Sequence, residues 1–147
     1  MLAEAAFHDL TRDIIAASID VHRALGPGLL ESAYSTCLQH ELSTRNITFA
    51  SQRRIPLVYK GVALDCAYRL DLVVEGLVVV EVKTIASILP IHQAQILTYL
   101  RLAHLPVGLL INFHVDMLVK GVKRVINPQW DERSAAVRAS PFLCVSC

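Results

Sequence analysis

The sequence predicts a single α/β domain in which a mixed β-sheet is flanked by helices and preceded by a helical pair. Three observations carry that expectation. The first 45 residues hold two apolar stripes at helical spacing. Residues 62–82 are dominated by β-branched side chains and broken by one tight turn, and a helical segment at 90–103 separates two apolar strands. With 147 residues, 54% hydrophobic and 18% charged, the chain can bury its own core and lacks the composition of a disordered segment.

Taken in order, Leu10, Ile14, Ala17, Val21 and Leu25 form one stripe of a helix over Asp9 to Leu25, with Arg12, Asp13, Asp20 and Arg23 opposite. His22 lies beside the stripe and is expected at the surface or near the cap. Gly26-Pro27-Gly28 stops the helix, because proline cannot continue the hydrogen-bond ladder and glycine tolerates a left-handed cap. A second helix is expected from Leu29 or Leu30 to about Arg45, with Leu30, Ala33, Tyr34, Cys37, Leu38 and Leu42 on one side. Tyr34 therefore reads as core. Glu31 in the first turn is favoured by the helix dipole alone; the functional alternative is that it leans over the sheet towards a metal or its water.

Ser51 to Tyr59 reads as a strand, with Lys60-Gly61 turning into a second strand, Val62 to Val74. Leu77 to Val82 follows, apolar on both faces and so suited to a sheet interior. There Glu81 and Lys83 would cost several kcal/mol if desolvated without partners. A three-residue loop at Val74-Glu75-Gly76, with Gly76 left-handed, would pair Val73 with Leu77 and set Asp71 opposite Val79. That register, the expected one, points Asp71, Val79, Glu81 and Lys83 to one face. A two-residue loop at Glu75-Gly76 would send Glu81 to the other. Gathered carboxylates offer hard oxygens to Mg²⁺ or Mn²⁺, and a neighbouring ammonium can stabilise phosphate charge. A structural ion pair of Lys83 with Glu81 or Asp71 is the competing explanation.

Pro90 suits the first turn of a helix running to about Ala103, on which His92, Gln95 and Tyr99 share a face. Val107 to Phe113 is a buried strand, reached by a right-handed parallel crossover, and a short strand follows at Val122 to Ile126. After Asn127-Pro128 the periodicity fades, with a short helix expected between Asp131 and Ala139. The domain is thus expected over residues 1–127, leaving 128–147 as a tail of unknown role.

The net charge of +1 does not by itself advertise nucleic-acid binding, but its distribution is uneven. Residues 1–52 carry three Lys/Arg against six Asp/Glu, whereas residues 53–124 carry nine against five. A cation held by Asp71 and Glu81 would leave that second region more basic still. Adjacent Arg53 and Arg54 at a strand start, and Lys120, Lys123 and Arg124 near the last strand, are the candidate backbone contacts to a nucleic acid. No basic segment followed by an apolar run opens the chain, and no stretch reads as a membrane span, so a cytoplasmic location is expected. Cys37, Cys66, Cys144 and Cys147 fit reduced thiols, because the single Cys-x-x-Cys lacks a second pair or a histidine spacing.

Gly28-Leu29-Leu30-Glu31-Ser32-Ala33-Tyr34 spells G-x-x-E-x-x-Y. Together with Tyr68-Arg69-Leu70-Asp71, Glu81-Val82-Lys83, the run His92 to Tyr99, and Leu109-Leu110-Ile111-Asn112-Phe113, it resembles the GxxExxY family of the PD-(D/E)xK nuclease superfamily over residues 9–127. The resemblance implies a restriction-endonuclease-like core and hydrolysis of phosphodiester bonds in DNA, with Mg²⁺ or Mn²⁺ as cofactor. Asp71 and Glu81 would bind the metal, with the Val82 carbonyl and Glu31 completing the site. Lys83 would orient water or stabilise the transition state. Gln95 and Tyr99 look like the Gln-x-x-x-Tyr pair of exonuclease-like branches. The superfamily's proline before the first acid is replaced here by Leu70. The resemblance also admits a homodimer, and as an alternative a catalytically silent module that binds nucleic acid or protein.

Overall fold

The computed structural model describes residues 2–133. Its elements are α1 (Leu2–Leu25), α2 (Glu31–Thr44), β1 (Phe49–Tyr59), β2 (Val62–Val74), β3 (Val78–Lys83), α3 (Pro90–Ala103), β4 (Val107–Asn112) and β5 (Val122–Ile126). The five strands form one sheet in sequence order, antiparallel throughout except for β3 and β4, which run parallel across the α3 crossover. The mixed α/β architecture with its N-terminal helical pair is the expected one. The Cys144 and Cys147 pair, and most of the helix expected from Asp131 to Ala139, fall outside the described residues.

Helices cover both faces of the sheet, which is why β3 and β4 are apolar on both sides. On one face α1 and α2 pack Ile14, Tyr34 and Leu38 against Leu72, Val80 and Ile111. On the other, α3 packs Ile96 and Leu100 against Leu70, Val73 and Val79. Gly108 belongs to that second contact, because a Cβ there would lie 2.6 Å from Ile96 Cδ1.

His22 departs from the surface position expected of it. It is 7% exposed, its Nε2 lies 2.8 Å from the Val115 carbonyl, and its ring tilts against Phe113. The loop after β4 closes over the helix, a tertiary contact that the local pattern of α1 does not encode.

The register of the central hairpin also differs from expectation. Val74 pairs with Val78 and Val73 with Val79, so the loop is Glu75-Gly76-Leu77 rather than Val74-Glu75-Gly76. Glu75 (φ 52°) and Gly76 (φ 65°) are both left-handed. For glutamate this costs free energy, and two contacts to Thr48 offset it: the Glu75 N–H donates to the Thr48 carbonyl at 2.9 Å, and the Glu75 carboxylate accepts the Thr48 N–H at 2.8 Å. The register moves by two residues, an even step, so β3 keeps its alternation and Val79, Glu81 and Lys83 still share a face.

Asp71 does not follow that alternation. Leu70 packs with α3, whereas Leu72 packs with α1 and α2, although they are two residues apart. The break falls on Asp71, where the β2–β3 ladder ends at Leu72–Val80 and the β1–β2 ladder skips the Gln52–Asp71 position. Asp71 thus sits in an opening seam between β2 and β3 rather than squarely on one face.

Candidate active site

Glu31 is placed by the loop between α1 and α2. The buried Tyr34 hydroxyl donates to the Gly26 carbonyl and accepts the Leu29 N–H at 3.1 Å, while its ring stacks on Phe113 at 4.4 Å. This is the local physics of the G-x-x-E-x-x-Y pattern: one turn after Glu31, the tyrosine ties down the chain that leads into it.

At the seam, Asp71 Oδ2 accepts the Val82 N–H at 3.0 Å. A side-chain carboxylate holds the strand where a regular ladder would use backbone, which fixes Asp71 against the Glu81-Val82-Lys83 segment. Glu81 is 7% exposed, and its Oε1 is buried without a hydrogen-bond partner among the described residues. Its Oε2 lies 3.9 Å from Lys83 Nζ, an ion pair too long for a hydrogen bond. The Glu81–Lys83 ion pair of the competing explanation is thus present, but it is long and leaves Glu81 Oε1 unsatisfied.

The electrostatics agree with this geometry. Burial pushes the Glu81 carboxyl up to about 7; the charges of Asp71 and Glu31 add to the rise, while Lys83 and the Asp71 backbone N–H oppose it. Asp71 is raised by burial, against the Val82 N–H and Lys83. Glu31 is raised by burial and by Asp71, against Lys83. Three carboxyls and one ammonium therefore share one field.

Tyr99 joins them from α3. Its hydroxyl is raised by burial first and then by Glu81, Tyr68 and Asp71, and its ring lies 5.4 Å from Tyr68. Gln95 is exposed one turn earlier. His92 is occupied elsewhere: its Nδ1 accepts the Leu89 N–H at 2.8 Å and caps α3.

Asn112, quoted in the sequence only as part of the Leu109 to Phe113 motif, has a role that the structure alone reveals. It pairs with Lys83 across β3 and β4 and is 1% exposed. Its Oδ1 accepts the N–H groups of Ile85 and His114, and its Nδ2 donates to the Ile85 carbonyl at 2.8 Å. Together with the Phe113 N–H bonded to the Lys83 carbonyl at 2.9 Å, these contacts hold the chain that leaves Lys83. The available signal was one amide in an otherwise apolar strand. Gly121 backs this point, since a Cβ there would meet the Asn112 carbonyl oxygen at 2.2 Å.

The basic candidates do not converge. Arg53 pairs with Leu70 and Arg54 with Arg69, so the two neighbouring arginines point to opposite faces of β1. Lys120, Lys123 and Arg124 lie at or beside the β5 edge, with three strands between them and β1. Lys120 pairs with Asp116 at 3.3 Å, and Arg124 reaches His8 at 2.9 Å.

An open cleft of about 490 Å³ adjoins the seam, lined by Glu31 and Asp71 together with the uncharged Ser32, Ser35, Gln39 and Gln52. Among the described residues no three His, Cys, Asp or Glu side chains converge tightly enough to hold an ion as they stand. The donor chemistry nevertheless fits a hard divalent cation: carboxylate oxygens, one of them buried and unpartnered, with their pKa values raised first by burial and, for Glu81 and Glu31, also by the neighbouring acids. No described helix is long and apolar enough to cross a membrane.

A mixed sheet whose β2–β3 seam presents an acid from one strand and Glu-x-Lys from the next defines a restriction-endonuclease-like, nuclease-type protein. The family model of the PD-(D/E)XK nuclease superfamily matches residues 8–125, and the chain belongs to that superfamily. No curated protein and no solved structure gives a significant match.

Proposed function

We propose that the protein is a phosphodiesterase dependent on Mg²⁺ or Mn²⁺ that hydrolyses DNA, of the GxxExxY branch. One observation carries this reading: Glu81 is a nearly sealed carboxylate with an orphaned oxygen, set among two further acids and beside a half-buried lysine. An unpartnered buried carboxylate is costly, and a bound cation is the group that removes the cost. Asp71, Glu81, the Val82 carbonyl and Glu31 would hold it. Once bound, the ion supplies Lewis acidity towards the scissile phosphate.

The chain's own groups do the rest. The Val82 N–H fixes the Asp71 carboxylate, so the seam is arranged before substrate arrives. Lys83 Nζ, at 3.9 Å from Glu81 Oε2, is not tied up in a hydrogen bond to it and faces the charge that builds on the phosphate oxygens. Fully buried Val80, Val82 and Leu70, on the strands that carry the acids, lower the local dielectric and strengthen both effects. Tyr99 and Gln95 border the site from α3, where a hydroxyl and an amide can orient substrate or water.

The test is to incubate the purified protein with plasmid and linear DNA in Mg²⁺, in Mn²⁺ and in EDTA. Cleavage in either metal, absent in EDTA and absent from Asp71→Ala and Lys83→Ala proteins that keep the parental circular dichroism, is the expected result. Cleavage by the variants equal to the parent would assign the activity to a contaminant. Binding without cleavage in both metals would leave a silent module.

A further inference from the structure

We propose that Arg54 and Arg69 form a phosphate clamp that leads a nucleic-acid backbone into the cleft in front of Asp71. The proposal rests on the nucleic-acid substrate argued above and specifies which surface takes it.

The two arginines are direct cross-strand partners on β1 and β2. Both are exposed, and neither has an ion-pair partner among the described residues. Like charges placed opposite each other destabilise a sheet. The arrangement becomes favourable when an anion lies between them, and guanidinium forks are shaped for phosphate.

Their direction follows from their neighbours. The adjoining pair, Ile55 and Tyr68, faces α3, with Ile55 buried in that core and Tyr68 against Tyr99. Alternation turns Arg54 and Arg69 to the opposite face, which is also the face of Gln52. That is the side of α2, where the cleft carries Glu31, Ser32, Ser35, Gln39 and Gln52 up to Asp71.

Gln52 adds an independent sign. It has a left-handed φ of 53° within a strand, at the point where the ladder skips Asp71. Such strain in a non-glycine residue collects at ligand sites. Here it sets an amide between the arginine pair and the acids. Cations at the entrance and uncharged hydrogen-bonding groups along the wall suit a sugar–phosphate chain, and the acids at the far end suit the metal-assisted step.

The experiment measures binding of fluorescein-labelled duplex DNA by anisotropy across a salt series in EDTA, together with Tm of the free proteins. Arg54→Ala and Arg69→Ala should each flatten the slope of log K against log salt by about 0.9, and the double variant by about 1.8. Each single variant should also raise the Tm of the free protein, with little further gain in the double, because the repulsion is removed once. Parental slopes in the variants, or Tm values that fall, would overturn the clamp. A clamp confirmed in a protein that cuts no DNA in Mg²⁺ or Mn²⁺ would sink the phosphodiesterase reading alone. Metal-dependent cutting with unchanged slopes would sink the clamp alone.

Discussion

Asp71 Oδ2 accepts the Val82 backbone N–H at 3.0 Å, which binds the acid of β2 to the middle of the Glu81-Val82-Lys83 segment of β3. This bond places the first carboxylate in a seam rather than on a face. Most of the site's behaviour follows from it.

Asp71→Asn keeps the size of the side chain and an oxygen for the Val82 N–H, but removes the charge. Cleavage should fall at least about a hundredfold, since each 1.36 kcal/mol of lost transition-state stabilisation is a factor of ten. Circular dichroism should stay parental and Tm should not fall, because a raised pKa means that the Asp71 charge costs stability at neutral pH. A variant that cuts at the parental rate would show that Asp71 carries no part of the chemistry.

The Glu81 carboxyl sets a pH dependence in the metal-free protein. Its folded-state pKa is raised from 4.5 to about 7, so between those values the folded state binds more protons than the unfolded state. Its stabilising contribution is complete below about pH 4.5 and is lost as pH rises through 7, amounting to about 3 kcal/mol. Asp71 and Glu31, also raised, act in the same direction. Denaturant melts in EDTA should show stability falling over this window in the parent and falling much less in Glu81→Gln. Mn²⁺ should restore the parent at neutral pH and leave Glu81→Gln nearly unmoved.

Tyr34→Phe removes a hydroxyl that serves both the Gly26 carbonyl and the Leu29 N–H. Unsatisfied buried groups cost about 1–3 kcal/mol, so Tm should drop measurably. The loop it ties leads into Glu31, so cleavage measured well below the new Tm should also fall. Activity that tracks only the unfolded fraction would limit Tyr34 to the core.

Asn112→Ala strips two hydrogen bonds from Ile85 in the turn after Lys83 and a third from the His114 N–H beyond β4. The lysine stays on the strand but loses the support behind its backbone. Turnover should fall several-fold while DNA affinity in EDTA stays parental, because Asn112 touches no exposed surface. Equal losses in both would refute a positioning role.

Element boundaries were largely legible in the chain. Val62 to Val74 and Pro90 to Ala103 coincide with the observed β2 and α3, because β-branched runs, Pro at a helix start and glycine turns act locally. Tyr34 was recognisable as core from its stripe, and the acids and lysine of the seam stood out as charges in apolar strands. His22 was misplaced because its partner, the Val115 carbonyl, lies far along the chain. The hairpin register was shifted because a left-handed Glu75 is unfavourable in isolation and is stabilised by Thr48 of a preceding segment.

The sequence by itself determined which residue types the site contains and the strands and helices that carry them, since periodicity and turn chemistry depend on near neighbours. Only the tertiary structure decided that Asp71 leaves the alternation and bonds to Val82, that Arg54 meets Arg69, and that Asn112 supports the chain after Lys83. Each of these joins residues on different strands or on a strand and a loop. Their energies arise from burial and hydrogen bonding across the assembled sheet, which no local pattern records.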